Sequence, residues 1–180
     1  MQTQRELALK LRDSRIIIVG GTIASSNASG LIFDLLTLDA DDDTKPIQLY
    51  IFSSYGAYLD VMAVYDTIKR IHAPVRGICI GSLTNYSALL LASCNKGERF
   101  ALKHSTISLS QPYTGLQAGG NQQTEILIAA KEARLEREVF EKALAAETGT
   151  SLEKIHADCE NGIELNAEQA INYGIVDKVL

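Results

Sequence analysis

The sequence predicts an α/β domain built on a largely parallel sheet. Strand-like and helix-like stretches alternate along the chain. The strand-like stretches are continuous apolar runs, as strands packed beneath helices read. Repeated β-α-β order then favours parallel pairing, because each helix returns the chain to the same edge of the sheet.

Residues 15–19 (RIIIV) predict the first strand, ended by Gly20-Gly21. Residues 26–38 predict a helix with Leu31, Phe33, Leu35 and Leu36 apolar and Ser26 or Asn27 as N-cap. A second strand is expected over 47–52. A second helix over 57–71 has Val61, Val64, Tyr65 and Ile68 at helical spacing. Residues 75–81 predict a third strand. Residues 83–93 are apolar almost throughout, which predicts a buried helix. Short strands follow over 100–102 and 106–109, closing helices over 151–159 and 166–173, and a last strand over 177–180. Strand-to-helix turns near Gly20, Ser53 and Gly81 would open on one edge, where ligands of open α/β sheets bind.

The long helix expected over 124–147 differs from the others. Ile126, Ala129, Ala130, Ala133, Phe140 and Leu144 share one side; Ile128, Leu135, Val139 and Ala146 share roughly the opposite side. Lys131, Arg134, Glu138 and Glu141 separate the two stripes. One stripe can pack on its own domain. The other needs either a second subunit or further burial within the chain.

A length of 180 residues suits one domain, residues 1–180. Hydrophobic residues at 46% and charged residues at 22% describe a globular chain. A net charge of −5 without a Lys/Arg cluster argues against a nucleic-acid surface. The run at Asp39, Asp41, Asp42 and Asp43 reads as a solvated loop. No apolar stretch is long enough to span a bilayer. The first 13 residues carry no apolar core of a secretory signal, and Cys79, Cys94 and Cys159 form no CxxC pair. Free thiols in a reducing, cytoplasmic setting are the expectation.

Residues 78–92 spell strand, tight turn and buried helix. Such a turn can hold a nucleophile beside the free N–H groups of a helix N-terminus. Here Asn85 occupies it. His72, His104 and His156 all fall away from the expected ligand edge and read as surface or capping residues. His156 and Cys159 are spaced to share a helix face, but nothing near them reads as an oxyanion hole. No metal-ligand spacing appears, and neither Gly20-Gly21 nor Gly119-Gly120 forms a dinucleotide fingerprint. No cofactor is expected.

The order and spacing of RIIIVGGTI, PIQLYIFS, VYDTIKRI, RGICIG, KGERFAL, Gln111-Pro112, TGTSLEKI and AEQAINYGIVDKVL resemble the ClpP peptidase family, the proteolytic subunits of the ATP-dependent Clp protease. The resemblance covers about residues 9–180. It implies the ClpP/crotonase-like fold, with a spiral αβ head over 14–112 and 150–180 and a handle over 113–149. The handle looks about three residues longer than usual around 117–121. Carried over position by position, the family's nucleophilic Ser falls on Asn85, its His on Ser110 and its Asp on Gly162. Its oxyanion loop falls on Ser54-Tyr55-Gly56, with Gly56 kept, Tyr55 crowding the approach, and Tyr86 following the nucleophile position.

An Asn amide is a poor nucleophile, a Ser hydroxyl cannot act as the base, and Gly has no side chain to orient one. The pattern resembles the non-catalytic ClpR-type paralogues. The resemblance therefore implies an inactive subunit that joins active ClpP-type subunits, copies of itself, or both, in seven-membered rings stacked in pairs. The alternatives are a serine-type peptidase rerouted through Ser82, Ser87 or Ser110, and a homo-oligomeric scaffold. The family's cleft for an AAA+ unfoldase falls on Tyr50, Ile78, Ile80, Phe100 and Leu102, which remain apolar. Gln48 and Arg70 have turned polar, which implies weakened docking. Localisation in the cytoplasm, or in a plastid or organelle stroma, would follow.

Overall fold

The computed structural model describes residues 4–111 and 122–180, with side chains from Leu9 onward apart from that of Ser54. In chain order the elements are α1 (Gln4–Asp13), β1 (Ile16–Ile23), α2 (Ser25–Asp41), β2 (Ile47–Gly56), α3 (Tyr58–Arg70), β3 (Val75–Cys79), β4 (Ser82–Thr84) and α4 (Tyr86–Ser93). Then come β5 (Arg99–Ala101), β6 (Thr106–Leu109), α5 (Gln123–Thr148), α6 (Leu152–Asn161), β7 (Ile163–Asn166), α7 (Ala167–Tyr173) and β8 (Lys178–Val179). Five parallel strands form one sheet in the order β1-β2-β3-β5-β8. A second sheet of three strands, β4-β6-β7, pairs β4 with β6 in parallel and β6 with β7 antiparallel.

The expected strands and helices form, with three differences. First, β1 does not stop at Gly20-Gly21. It runs on to Ile23 through a bulge: Gly20 pairs Phe52, but Thr22 pairs Tyr55, so β2 contributes the extra residue. The exposed Phe52 ring lies over Gly20, where a Cβ would stand. The Ser53 hydroxyl, fully buried, donates towards the Gly21 and Tyr55 carbonyls and holds the bulge. Second, the expected helix start at 83 is instead the short strand β4, and helix α4 begins at Tyr86. Third, β7 follows Gly162 where no strand was expected. The α2 N-cap is Ala24, and Asn27 reaches back from the first turn to accept its N–H.

Helices cover only one face of the large sheet. Ile17, Val19, Leu49, Ile51, Cys79 and Ala101 face that side and are buried with Leu35, Val61, Val64 and the whole of α4. The opposite face carries a mostly apolar row, with Ile78 buried and Ile18 open to solvent. Ile18, Tyr50, Ile78, Phe100 and Lys178 are register partners across all five strands. Ile18 is 50% exposed, and Phe52, Leu102 and Leu180 are exposed as well.

Among the described residues, helix α5 packs on the rest of the chain mainly through its C-terminal half. Phe140 and Leu144 are buried, while Ile126, Leu127, Ile128, Leu135 and Val139 are exposed. The helix stops at Gly149, which takes the left-handed conformation at φ 78°. Glu141, one of the residues that separate the two stripes, is buried. Its carboxylate accepts from Arg137 Nε at 2.7 Å and lies 2.9 Å from His156 Nδ1 on α6. These bonds pay for its desolvation and fasten α5 to α6. On the helix-covered face, buried Arg99 donates to both oxygens of Asp177 and to the Gly174 carbonyl, tying β5 to the approach to β8. Where the handle would begin, residues 112–121, including the longer stretch expected at 117–121, lie outside the described residues.

Candidate functional site

The site is built at the junction of the two sheets. After β3 the chain turns at Gly81, φ 68°, and leaves the large sheet. It then pairs as β4 with β6, Ser82 opposite Thr106 and Thr84 opposite Ser108. At Asn85 it turns again, at φ 41° and ψ −105°, and enters α4. That region is steeply unfavourable for residues other than glycine, so the turn is strained. Two bonds hold it: Asn85 N–H donates to the Ser108 carbonyl at 3.0 Å, and Leu89 N–H donates to the Asn85 carbonyl at 3.1 Å.

The Asn85 side chain does not cap α4. It turns to Ser110 instead. Ser110 N–H donates to Asn85 Oδ1 at 2.7 Å, and Asn85 Nδ2 donates to Ser110 Oγ at 3.1 Å. Gly162 enters from the other side. In the antiparallel β6–β7 pair Leu109 faces Ile163, so one further step of the register brings Gly162 opposite Ser110. Asn85 and Ser110, far apart in sequence, thus meet, and Gly162 precedes the strand that pairs beside Ser110. A Cβ on Gly162 would enter open space, but φ there is 70°, which disfavours any side chain.

Gly56 closes β2 beside this turn, paired with Ile23, and the Val61 side chain occupies the place of a Cβ there. Tyr86 opens α4. Its ring packs edge-on against Phe140 of α5, centroids 5.2 Å apart, and tilts against Tyr58 at 5.9 Å. Burial pushes the Tyr86 phenol well above its ordinary range. Among the described residues, the Tyr86 and Ser87 hydroxyls are the buried side-chain polar atoms without a hydrogen-bond partner. Tyr55 is half exposed and belongs to the bulged end of β2 rather than to a free loop.

The histidines stand apart from these residues. His72 is exposed after α3, where its N–H donates to Asp39. His104 is exposed in the turn before β6, and His156 serves the Glu141 pair. No hydrogen bond joins any of them to Asn85 or Ser110 among the described residues. Cys159 is buried, and burial, with Glu141 nearby, pushes its thiol up to about 12, so a thiolate pair with His156 does not form at neutral pH. Among the described residues no cluster of three or more His, Cys, Asp or Glu could hold a metal ion. The turn can offer hydrogen bonds, but it holds no paired nucleophile and base.

A family model described as Clp protease matches residues 2–180. The ATP-dependent Clp protease proteolytic subunit 2 of Prochlorococcus marinus (strain MIT 9312) is 38% identical over 175 residues, covering 97% of this chain and 85% of that protein. The chain belongs to the Clp protease family. Membership agrees with the motif order read from the sequence, and the α/β architecture agrees with the ClpP fold.

Of the docking positions expected from the family, Tyr50, Ile78 and Phe100 lie in the single row across the large sheet. Ile80 and Leu102 continue the same face just beyond the strand ends, their N–H groups donating to the Ile51 and Cys79 carbonyls. Gln48 and Arg76 form the neighbouring row, and the Arg76 guanidinium lies 5.6 Å over the Phe100 ring while paired with Glu98. Arg70 ends α3. Sequence reading missed two features: the reciprocal Asn85–Ser110 bonding and the buried Glu141. The first had a signal in the Asn at a strand-to-helix turn. The second had one in the i,i+4 spacing of Arg137 and Glu141.

Proposed function

We propose that this Clp protease family member is a non-catalytic, ClpR-type subunit of a Clp proteolytic core. The observation that carries the reading is the Asn85–Ser110 pair. The turn that would seat a nucleophile holds an amide, and that amide is already hydrogen-bonded to the residue standing where the family's base would be. An amide nitrogen is not nucleophilic, and a Ser hydroxyl does not accept a proton at neutral pH. Gly162 supplies no carboxylate. With nucleophile, base and orienting acid all absent, only binding and backbone hydrogen bonding remain, a loss of several orders of magnitude in rate.

What the chain keeps suits assembly. The exposed apolar side of α5 supports its use as a handle that packs on other subunits, and the apolar row on the large sheet supports a docking face for an AAA+ partner, weakened by Gln48 and Arg70. The domain reading follows: a head over 14–112 and 150–180, and a handle over 113–149. No described helix is long and apolar enough to cross a membrane.

The proteolytic name of the Prochlorococcus relative favours one competing reading, a peptidase rerouted through Ser82, Ser87 or Ser110. Ser87 is wholly buried and Ser110 is engaged with Asn85, which leaves Ser82 the most accessible of the three. Native mass spectrometry of the purified chain, alone and mixed with an active ClpP-type subunit, tests the assembly role. Mixed rings are expected. A chain that never enters rings with an active subunit would point to a separate scaffold. The substitution Asn85→Ser alone is expected to restore no turnover of a fluorogenic peptide, since base and acid stay absent; measurable turnover would overturn the assignment of Ser110 and Gly162.

A further inference from the structure

We infer that the Asn85 side chain acts as a surrogate peptide group, which carries the β4–β6 ladder past the end of β4 and locks the end of β6 to the start of α4. The regular ladder stops at Thr84 opposite Ser108. Asn85 donates its own N–H to the Ser108 carbonyl, which uses up its backbone donor. Its backbone then turns away into α4, at a φ and ψ that no strand adopts. The next backbone donor of β6 on that side is Ser110 N–H, and it is the Asn85 side chain that receives it, at 2.7 Å.

A primary amide has the same donor and acceptor pair as a peptide unit. Ser110 N–H can only donate, so the atom facing it is Oδ1. This orients Nδ2 towards Ser110 Oγ, where it donates at 3.1 Å. Oδ1 thus takes the place of the next ladder acceptor, and Nδ2 adds a bond to the Ser110 side chain. The absence of a side-chain cap on α4 fits, because the group that would cap it is committed across the turn. The lock is independent of whether the chain cleaves peptides. It gives the position a structural role that an Ala, with no polar side-chain atom, could not fill.

The test is amide hydrogen exchange on the full chain, read at Ser110. In the unmodified protein Ser110 N–H is expected to be protected, and the Asn85 Nδ2 protons to exchange more slowly than those of exposed Asn161. Asn85→Gly relaxes the backbone strain but removes the amide. It is expected to lose at least tenfold of the Ser110 protection while Ile107 in mid-strand stays protected. Asn85→Asp keeps an acceptor oxygen for Ser110 N–H and is expected to retain most of that protection. Unchanged Ser110 exchange in Asn85→Gly would overturn the lock and leave Asn85 as a residue tolerated for its backbone alone. If the variants do not fold, the Ser110 and Asn85 side-chain rates in the unmodified chain decide: fast exchange at both contradicts the lock. Peptide turnover plays no part in this readout, so the lock and the non-catalytic reading stand or fall separately.

Discussion

At the scale of single residues, burial decides which groups are chemically available. Burial pushes the Cys79 thiol up to about 11 and those of Cys94 and Cys159 to about 12. All three are expected to resist a thiol reagent at pH 8 in the native chain and to react together on unfolding; fast labelling of any one in the native state would contradict its packing. Asp177 behaves in the opposite sense. Burial raises its carboxyl, but the hydrogen bonds from Arg99 and the N–H groups of Gly97 and Arg99 outweigh this and hold it below its ordinary value of 3.8. A carboxyl depressed in the folded state stabilises the fold at neutral pH and loses that contribution as pH falls below its unfolded value and through its folded one. Asp177→Asn is therefore expected to cost about 3 kcal/mol at pH 7, since it leaves Arg99 buried without its partner. It should also flatten the acid limb of a stability–pH curve below about pH 4. An unchanged acid limb would remove Asp177 from the account. The candidate positions were available from motif order. Their contacts were not, because the bond between Asn85 and Ser110 depends on a turn geometry that residue types do not specify.

At the scale of elements, α5 divides at about its middle. Near its C-terminal end Phe140 fills the core beside Tyr86, and Phe140→Ala is expected to destabilise the chain by about 3–5 kcal/mol in denaturant unfolding. Leu135 and Val139 face outwards, so Leu135→Glu with Val139→Glu should leave unfolding within about 0.5 kcal/mol while abolishing ring formation in native mass spectrometry. Loss of fold in that double variant, or intact rings, would count against a handle role. The two apolar stripes of this helix were readable from helical spacing. Which stripe packs, and for how many turns, was not: the same pattern fits burial in the chain or against another chain. Likewise β4 and β7 escaped notice because three- and four-residue strands carry too few side chains to show a period. The β1 runs were plain, yet their extension past Gly20-Gly21 depends on an extra residue in the neighbouring strand β2.

At the scale of the whole molecule, the sheet is covered by helices on one face and left apolar and partly open on the other. Continuous apolar strands looked alike for both faces in sequence, since a strand buried by a partner reads like one buried by its own helices. What the chain keeps is a packed α/β core, an outward-facing helix and an apolar sheet face. At the turn where the two sheets meet, Asn85 is hydrogen-bonded to Ser110, and among the described residues no histidine is bonded to either. The central claim is that this turn is silent. Incubation of the purified chain with a serine-reactive fluorophosphonate, followed by intact-mass and peptide mass spectrometry, tests it most directly. The account predicts no adduct and no hydrolysis of a fluorogenic peptide by the same sample. A stoichiometric adduct on Ser82, Ser87 or Ser110, with turnover lost when that serine is changed to Ala, would contradict it.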